Sequence, residues 1–181
     1  SLGYLPCGGR RSDPRECRRE RNCKPLDSLM YVGARMNYFL SPLHRDTVRR
    51  LVPLPLESCA VVRPTFDPRP FLNARNESRT IANVFVGAVV PEKIGSALEE
   101  IRPLTVVSPY AVDVPADVEL LVGLHPDEVA RVLGRSERFV YRSRWPEPFG
   151  RVVAEAALAG CELDIEGEVG ALSFDRDLTA P

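Results

Sequence analysis

Two glutamates, Glu147 and Glu155, lie eight positions apart around a Pro-Phe-Gly turn. A carboxylate accepts hydrogen bonds from two neighbouring hydroxyls, so two carboxylates suit a ligand that carries several hydroxyl groups. The turn opens an Ala- and Val-rich segment, and a helix is predicted from Pro148 to Leu158, with proline in its first turn. The N–H groups and the dipole at such a helix start favour an anion. The segment therefore predicts a ligand with hydroxyls at one end and phosphates in the middle, with a solvated amphipathic helix as the alternative.

The same segment resembles the donor-site signature of retaining glycosyltransferases with the GT-B fold, the group that includes glycosyltransferase family 4. The matching residues are Glu147, Pro148, Phe149, Gly150, Glu155, Ala156, Gly160 and Cys161. The resemblance implies that Glu147 contacts the hydroxyls of the transferred sugar and that Glu155 holds the ribose hydroxyls of the nucleotide. It also implies that Pro148, Phe149 and Gly150 form the turn that meets sugar and phosphate, the last two through their backbone N–H groups.

A second segment extends the resemblance. Within a β-rich run, the strand residues Val84, Phe85 and Val86 are followed by Gly87, and the chain then leads to Lys93. In the family, a lysine in this loop meets the donor diphosphate, so the resemblance implies a catalytic pair of Glu147 and Lys93, with Gly87 in the donor site. The family's partner arginine is replaced by Ala88, which removes one charge-assisted contact of about 1.5–3 kcal/mol.

Two arginines are candidates to replace that missing cation. Arg142 and Arg144 follow one another closely at the end of a predicted strand. Both are expected near the mouth of the ligand cleft, because such sheets bind ligands at the carboxyl ends of their strands. Arg144 is accordingly included in the predicted donor site. Ion pairing at the surface is the alternative for both residues.

Near-continuous apolar strands alternate with helices along the rest of the chain. The predicted strands are 81–90, 104–107, 118–122, 139–142 and 161–165, and the predicted helices are 91–101, 125–133 and 148–158. This alternation predicts an α/β fold with a Rossmann-like parallel sheet flanked by helices. The resemblance implies more narrowly the C-terminal half of a GT-B fold.

Three regions are predicted along the chain. Residues 1–50 form a basic, cysteine-containing arm and, by the resemblance, the tail of a first domain; in this region Ser41 and Pro42 are typical of a helix start. Residues 51–79 are proline-rich and are expected to be an extended linker with turns. Residues 80–181 are expected to form the Rossmann-like nucleotide-sugar-binding domain.

Charge and cysteine content leave several partners open. Residues 1–50 carry a net charge of +6 and the remainder −7, which favours contact with phosphate, lipid headgroups or nucleic acid, or a solvated arm. Cys7, Cys17 and Cys23 are compatible with a metal site completed by a donor such as His44, with a disulfide, or with free thiols.

No signal-peptide pattern opens the chain and no apolar run is long enough to span a bilayer, so a cytoplasmic protein is expected, with contact at the membrane surface left open.

The resemblance implies a hexosyltransferase-type reaction in glycan biosynthesis. A sugar passes with retention from a UDP-, GDP- or ADP-linked donor to the hydroxyl of a glycan or lipid-linked acceptor. The resemblance implies no bound metal, no cofactor beyond the donor and no nucleic-acid partner. This chain would supply the donor-binding domain and would be incomplete as a catalyst, because the family's cleft lies between two domains. The alternatives are a catalytically inactive nucleotide- or nucleotide-sugar-binding module, favoured by Ala88 and the acidic stretch 164–168, and an unrelated α/β nucleotide-binding domain.

Overall fold

The computed structural model describes residues 30–174; residues 1–29 and 175–181 lie outside the described part. The described residues fall into two compact units. Unit 1 contains 30–65, 145–150 and 168–174, and unit 2 contains 66–144 and 151–167. Residues 1–29 of the predicted arm, which include Cys7, Cys17 and Cys23, therefore lie outside the described residues.

Unit 1 is built on a small parallel sheet. Strands β1 (Asn37–Phe39) and β2 (Cys59–Val61) pair with Tyr38 opposite Ala60, and helix α1 (Pro42–Leu51) packs on both. The apolar core of this unit consists of Phe39, Val48, Val52 and Leu54. The unit also contains two short 3₁₀ turns, Leu56–Ser58 and Gly170–Leu172.

The predicted start of α1 is confirmed. The Ser41 side chain accepts a hydrogen bond from the N–H of His44 at 3.0 Å, and Pro42 occupies the first helical position. The first N–H groups of a helix have no acceptor within the helix. Ser41 supplies an acceptor for one of them, and Pro42 has no N–H that would need one.

The segment 51–79 contains more regular structure than the extended linker that its prolines predict. It holds the first 3₁₀ turn, strand β2 and helix α2 (Arg69–Ala74). Two local reasons explain the difference. Strand β2 is free of proline and therefore keeps every N–H available for pairing with β1, and Pro70 lies in the first turn of α2, where proline is compatible with a helix.

Unit 2 is a five-stranded, fully parallel sheet flanked by helices. In chain order its remaining elements are β3 (Ile81–Val86), α3 (Pro91–Ile94), α4 (Ala97–Glu100), β4 (Leu104–Ser108), β5 (Val118–Val122), α5 (Pro126–Gly134), β6 (Ser136–Arg142), α6 (Arg151–Leu158) and β7 (Glu162–Glu166). The strand order is β5-β4-β3-β6-β7. The predicted α/β class with a Rossmann-like parallel sheet is confirmed.

Burial explains the order of the strands. All five residues of β4 are buried, and the core of the central strands includes Val84, Phe85, Phe139 and Val140. The two edge strands are more exposed: β5 exposes Glu119 and Val122, and β7 exposes Glu162 and Glu166 at its two ends. Continuous apolar strands therefore occupy the middle of the sheet, as expected where helices cover a parallel sheet.

Several predicted boundaries are wrong; β6, for example, begins at Ser136 and not at residue 139. Strand β3 ends at Val86, its last residue paired with β4, although apolar residues continue to Val90. The helix predicted over 91–101 is broken into α3 and α4 at Gly95, whose φ of 54° is incompatible with a right-handed helix. Helix α6 begins at Arg151 and not at Pro148, because the carbonyls of Pro148 and Phe149 accept hydrogen bonds from Ser41 and Ala171 instead of from helical N–H groups.

None of the described helices is both long and apolar enough to cross a membrane.

Candidate functional site

The carboxyl ends of two neighbouring strands carry three of the predicted donor-site residues. Gly87 directly follows β3, and its N–H donates to the carbonyl of Val107 at 2.9 Å. Lys93 is half-buried in α3, beyond the same strand. The N–H of Arg144, which follows β6, donates to the carbonyl of Glu92 at 2.9 Å. The structure thus brings the Lys93 loop and Arg144 together at one edge of the sheet.

The two candidate cations after β6 differ in their surroundings. Arg142 is largely buried, and its guanidinium lies 2.7 and 2.8 Å from the two carboxylate oxygens of Asp164 and 3.2 Å from Glu166. Hydrogen bonding to Arg142 lowers the pKa of Asp164, so the acid remains charged. Arg144 is exposed and forms no ion pair with any described residue. Of the two, Arg144 is therefore the one whose charge remains available to an anion.

Glu155 is a buried acid in the middle of helix α6. Only 6% of the residue is exposed, and its Oε1 lies 2.8 Å from Nε of Arg151, one turn earlier on the same helix. Burial raises the pKa of the Glu155 carboxyl, and the charge of Arg151 opposes that rise. The alternative from the sequence, a solvated glutamate on an amphipathic helix, is therefore wrong for this residue.

The turn that carries Glu147 is fixed by backbone contacts within unit 1. The N–H of Glu147 donates to the carbonyl of Glu168, and its carbonyl accepts from the N–H of Gly170, both at 2.9 Å. The indole N–H of Trp145 lies 3.4 Å from Oε2 of Glu147. Backbone pairing therefore holds Glu147 in place, with a half-buried side chain.

The next residues of the turn are anchored through their carbonyl groups. The hydroxyl of Ser41 donates to the carbonyl of Pro148 at 2.6 Å, and the N–H of Ala171 donates to the carbonyl of Phe149 at 2.6 Å. The Phe149 ring is buried and packs edge-on against Phe174, with 6.4 Å between ring centroids. Because these carbonyls are engaged, the turn has one defined backbone conformation.

The N–H groups of this turn differ from its carbonyls. The N–H groups of Phe149 and Gly150 donate to no acceptor within residues 30–174, although both residues are buried. Gly150 has a φ of 72°, a conformation that favours glycine, and it immediately precedes α6. Buried backbone N–H groups are nearly always paired in folded proteins. Two that have no protein acceptor are suited to an oxygen of a ligand.

The structure thus groups the predicted residues in three places. Glu147, Pro148, Phe149 and Gly150 form one turn in unit 1. Gly87, Lys93 and Arg144 follow the carboxyl ends of two adjacent strands in unit 2, and Glu155 lies on α6 of the same unit.

Three polar contacts of the site were not predicted from the sequence. The i, i+4 spacing of Arg151 and Glu155 is visible in the sequence and is a known signal for a helical ion pair. The pairing of Arg142 with Asp164 joins residues 22 positions apart, and the bond from Ser41 to Pro148 joins residues 107 positions apart. Nothing local in the sequence indicates either of these long-range contacts.

In the part of the chain from 30 to 174, no group of three or more His, Cys, Asp or Glu residues is placed to hold a metal ion. His44 accepts a hydrogen bond on Nδ1 from the N–H of Leu40, and burial lowers its pKa to about 4. Cys161 is a buried thiol whose pKa burial raises to about 11, which makes it a poor nucleophile.

Comparison with known proteins gives a fold and no sequence family. No family model and no curated protein matches the sequence. Solved structures do match: HepE of Anabaena in complex with UDP has a TM-score of 0.58 at 18% identity, and the match covers 77% of this chain and 46% of HepE. The complex of HepE with UDP and glucose gives 0.57 at 17%, with the same coverage. WaaG, a glycosyltransferase involved in lipopolysaccharide biosynthesis, gives 0.50 at 14% and covers 74% of this chain and 44% of WaaG.

These matches define the class of fold. The chain has the architecture of half of a GT-B glycosyltransferase fold. It spans about half the length of the structures that it matches.

Proposed function

We propose that this chain is the nucleotide-sugar-binding half of a retaining glycosyltransferase of the GT-B class. The enzyme would transfer a sugar from a nucleotide-diphosphate donor to an acceptor hydroxyl. The observation that carries the proposal is a buried acid, Glu155, on the helix that follows a turn with two unpaired N–H groups. Its position corresponds to the acid that holds the ribose in the family whose motif the sequence resembles.

The roles of the other residues follow from charge and placement. Lys93 and Arg144, joined through the bond from Arg144 to Glu92, would meet the negative charge of the diphosphate. Arg144 would take the place of the arginine that Ala88 replaces. For the turn, the proposal rests on the sequence motif together with its free N–H groups: Glu147 would contact the sugar hydroxyls, and Phe149 and Gly150 would donate to sugar and phosphate oxygens.

The fold neighbours support a nucleotide donor. HepE was solved with UDP, with UDP-glucose, and with UDP and glucose. UDP is therefore the first nucleotide to test for this chain, with GDP and ADP as the competing donors. The proposal includes a glycan or lipid-linked acceptor, with contact at a membrane surface through the basic residues of the first fifty. It includes no bound metal.

Calorimetric titration of the chain with UDP, GDP, ADP and their sugar conjugates tests the proposal. Glu155→Gln keeps the shape of the side chain and removes its charge, and Glu162→Gln on β7 is the matched control, because Glu162 is exposed. One nucleotide is expected to bind, and Glu155→Gln is expected to weaken its binding by about 1–3 kcal/mol while the control does not. Absence of binding by all three nucleotides to the wild-type chain would sink the proposal.

A second candidate function is nucleotide-sugar binding without transfer. Ala88 favours it, since one of the two family cations is absent and Arg142 is neutralised by Asp164 and Glu166. Release of free nucleotide from the bound donor separates the two functions. A complete two-domain enzyme that contains this chain releases nucleotide in the presence of an acceptor, and Lys93→Ala abolishes the release. A binding module retains the donor unchanged.

A further inference from the structure

An ion pair spans the first turn and a half of helix α6. Nε of Arg151, the first residue of the helix, lies 2.8 Å from Oε1 of Glu155, its fifth residue. The two side chains have opposite exposure: 66% of the Arg151 side chain is exposed and 8% of the Glu155 side chain. The pair therefore joins a solvent-facing cation to a carboxylate that has been withdrawn from water.

Helix stability does not account for this pair. A positive charge at the N-terminus of a helix opposes the helix dipole. An i, i+4 pair is also less favourable with the cation on the N-terminal side of the acid. Arg151 therefore stands where helix electrostatics disfavour it. Its contact with Glu155 supplies a different reason for its position.

Arg151 is the charged group that acts on the buried acid. Helix α6 packs against α2, α5, β6 and β7. Their charged residues are Arg69 on α2; Asp127, Glu128 and Arg131 on α5; Glu137, Arg138 and Arg142 on β6; and Glu162, Asp164 and Glu166 on β7. Among the described residues, Arg151 alone shifts the pKa of Glu155 by its charge, and it lowers that pKa against the effect of burial.

The ion pair occupies one side of the carboxylate. A carboxylate has two oxygens and several lone-pair sites, and Arg151 approaches Oε1. Arg151 is the one described residue that forms an ion pair with this carboxylate, and it approaches Oε1 more closely than the second oxygen, Oε2. Oε2 is therefore the atom better placed to accept hydrogen bonds from a ligand.

We propose that Arg151 is a positioning residue for nucleotide binding: it keeps Glu155 as a carboxylate and orients it so that Oε2 accepts from the ribose hydroxyls. The inference rests on the proposed function, since it concerns the same acid. Without the guanidinium, the buried side chain takes up a proton more readily. A protonated Glu155 loses the charge that makes it a strong acceptor for the diol.

The dissociation constants of UDP, GDP and ADP, measured between about pH 5 and 8, test this inference. The variants are Arg151→Met, which keeps the aliphatic stem, and Arg151→Lys, which keeps the charge. Arg131→Met on α5 is the matched control, because it removes an exposed arginine that does not act on Glu155. The affinity of each protein for the nucleotide that it binds is compared across the whole pH range.

In Arg151→Met the affinity is expected to decline from a higher pH than in the wild type. Below the pKa of Glu155, the affinity of the variant for the nucleotide should fall by up to roughly tenfold per pH unit. At high pH its affinity should return to the wild-type value. Arg151→Lys and Arg131→Met should follow the wild-type profile. A merely structural role would weaken binding equally at every pH, and a wild-type pH midpoint in Arg151→Met would overturn the inference.

Failure of the proposed function has a different outcome. It appears as absence of binding by all three nucleotides to the wild-type chain, whatever the pH. The 2′-deoxy form of the bound nucleotide adds an independent readout, because it removes one of the two hydroxyls. The wild type should bind the 2′-deoxy nucleotide more weakly than the parent nucleotide. At low pH, Arg151→Met should bind the two nucleotides almost equally. A ratio that Arg151→Met leaves unchanged at low pH contradicts the inference.

Discussion

Arg142 and Asp164 form a two-point ion pair across the neighbouring strands β6 and β7. Nη1 of Arg142 lies 2.7 Å from Oδ1 of Asp164, and Nη2 lies 2.8 Å from Oδ2. The two residues sit diagonally, since Arg142 is directly opposite Glu166 and Asp164 is opposite Val140. The planar guanidinium matches the carboxylate at two points, and the low exposure of Arg142 limits screening by solvent.

Breaking this pair should destabilise unit 2. Asp164→Asn leaves a largely buried guanidinium with one exposed acid, Glu166, as its remaining charged partner. We expect the free energy of unfolding to fall by about 1–3 kcal/mol, measured by urea denaturation. Asp117→Asn removes the acid of an exposed ion pair with Arg102 and is the matched control. An equal shift of the urea midpoint in both variants would contradict the expectation that the buried ion pair stabilises the protein more than the exposed one.

The stability of unit 1 should depend on pH through His44. Its ring packs edge-on against Phe39, with 5.3 Å between centroids, and burial lowers its pKa from 6.5 to about 4. The unfolded chain therefore takes up the proton at a higher pH than the folded chain. The stabilisation is fully present above about pH 6.5 and is lost as the pH falls towards 4.

His44→Asn should flatten this dependence. Between about pH 7 and pH 5, the wild type is expected to lose about 1–2 kcal/mol more than the variant, with allowance for solvent around the half-buried ring. Thermal or urea unfolding at several pH values measures the slope. His125→Asn, at an exposed position, is the matched control for removal of a histidine. If the free energy of unfolding depended on pH equally in the wild type and in His44→Asn, the dependence could not be attributed to His44.

A close approach within unit 1 makes Gly170 sensitive to substitution. A Cβ at this position would collide with the carbonyl oxygen of Pro148 and the hydroxyl of Ser41, which are hydrogen-bonded to each other. Gly170→Ala should therefore lower the free energy of unfolding by about 1–3 kcal/mol. Gly33→Ala is the control, because a Cβ there meets nothing within 4 Å. Hydrogen exchange of the amides that flank Pro148 would locate the effect, and unchanged protection would be inconsistent with the collision.

Arg79 joins the ends of two helices in unit 2. Its guanidinium donates to the carbonyls of Leu133 and Gly134 near the end of α5, Ser136 on β6, and Ala159 and Gly160 after α6. A cation at the C-terminus of a helix is favoured by the dipole, and a fork of donors serves several carbonyls at once.

Arg79→Lys keeps the charge and loses the fork. The free energy of unfolding should fall by about 1.5–3 kcal/mol or more, because several carbonyls lose a charged donor. Arg131→Lys, at an exposed position on α5, should leave it nearly unchanged. Differential scanning calorimetry of the two variants provides the comparison. An unchanged melting temperature in Arg79→Lys would show that the hydrogen bonds from Arg79 to these carbonyls do not stabilise unit 2.

Much of unit 2 was predictable because its patterns are local. The bounds of β5 were predicted as they are found, and α5 was predicted to within one residue. Short apolar runs and a proline at the first helical position carry this information within a few residues. The match to half of a GT-B fold agrees with the architecture that the motif around Glu147 implied.

The errors occurred where a distant partner decides the local structure. Strand β2 exists because it pairs with β1, twenty-two positions earlier along the chain. Strand β3 ends where its neighbour β4 ceases to pair with it, although the apolar run continues. The turn before α6 is set by Ser41 and Ala171, which hold its carbonyls. No window of sequence around these segments contains their partners.

For the candidate site, the sequence by itself determined which residue types are present and their order along the chain. It supplied two glutamates around a Pro-Phe-Gly turn, a lysine after a strand, and an alanine in place of a cation. Only the tertiary structure decided that Glu155 is buried, that Arg142 is neutralised by Asp164, and that Arg144 remains exposed. Burial and ion pairing depend on how far each charge is removed from water and on which opposite charge lies within a few ångströms. Both are properties of packed neighbours from distant parts of the chain.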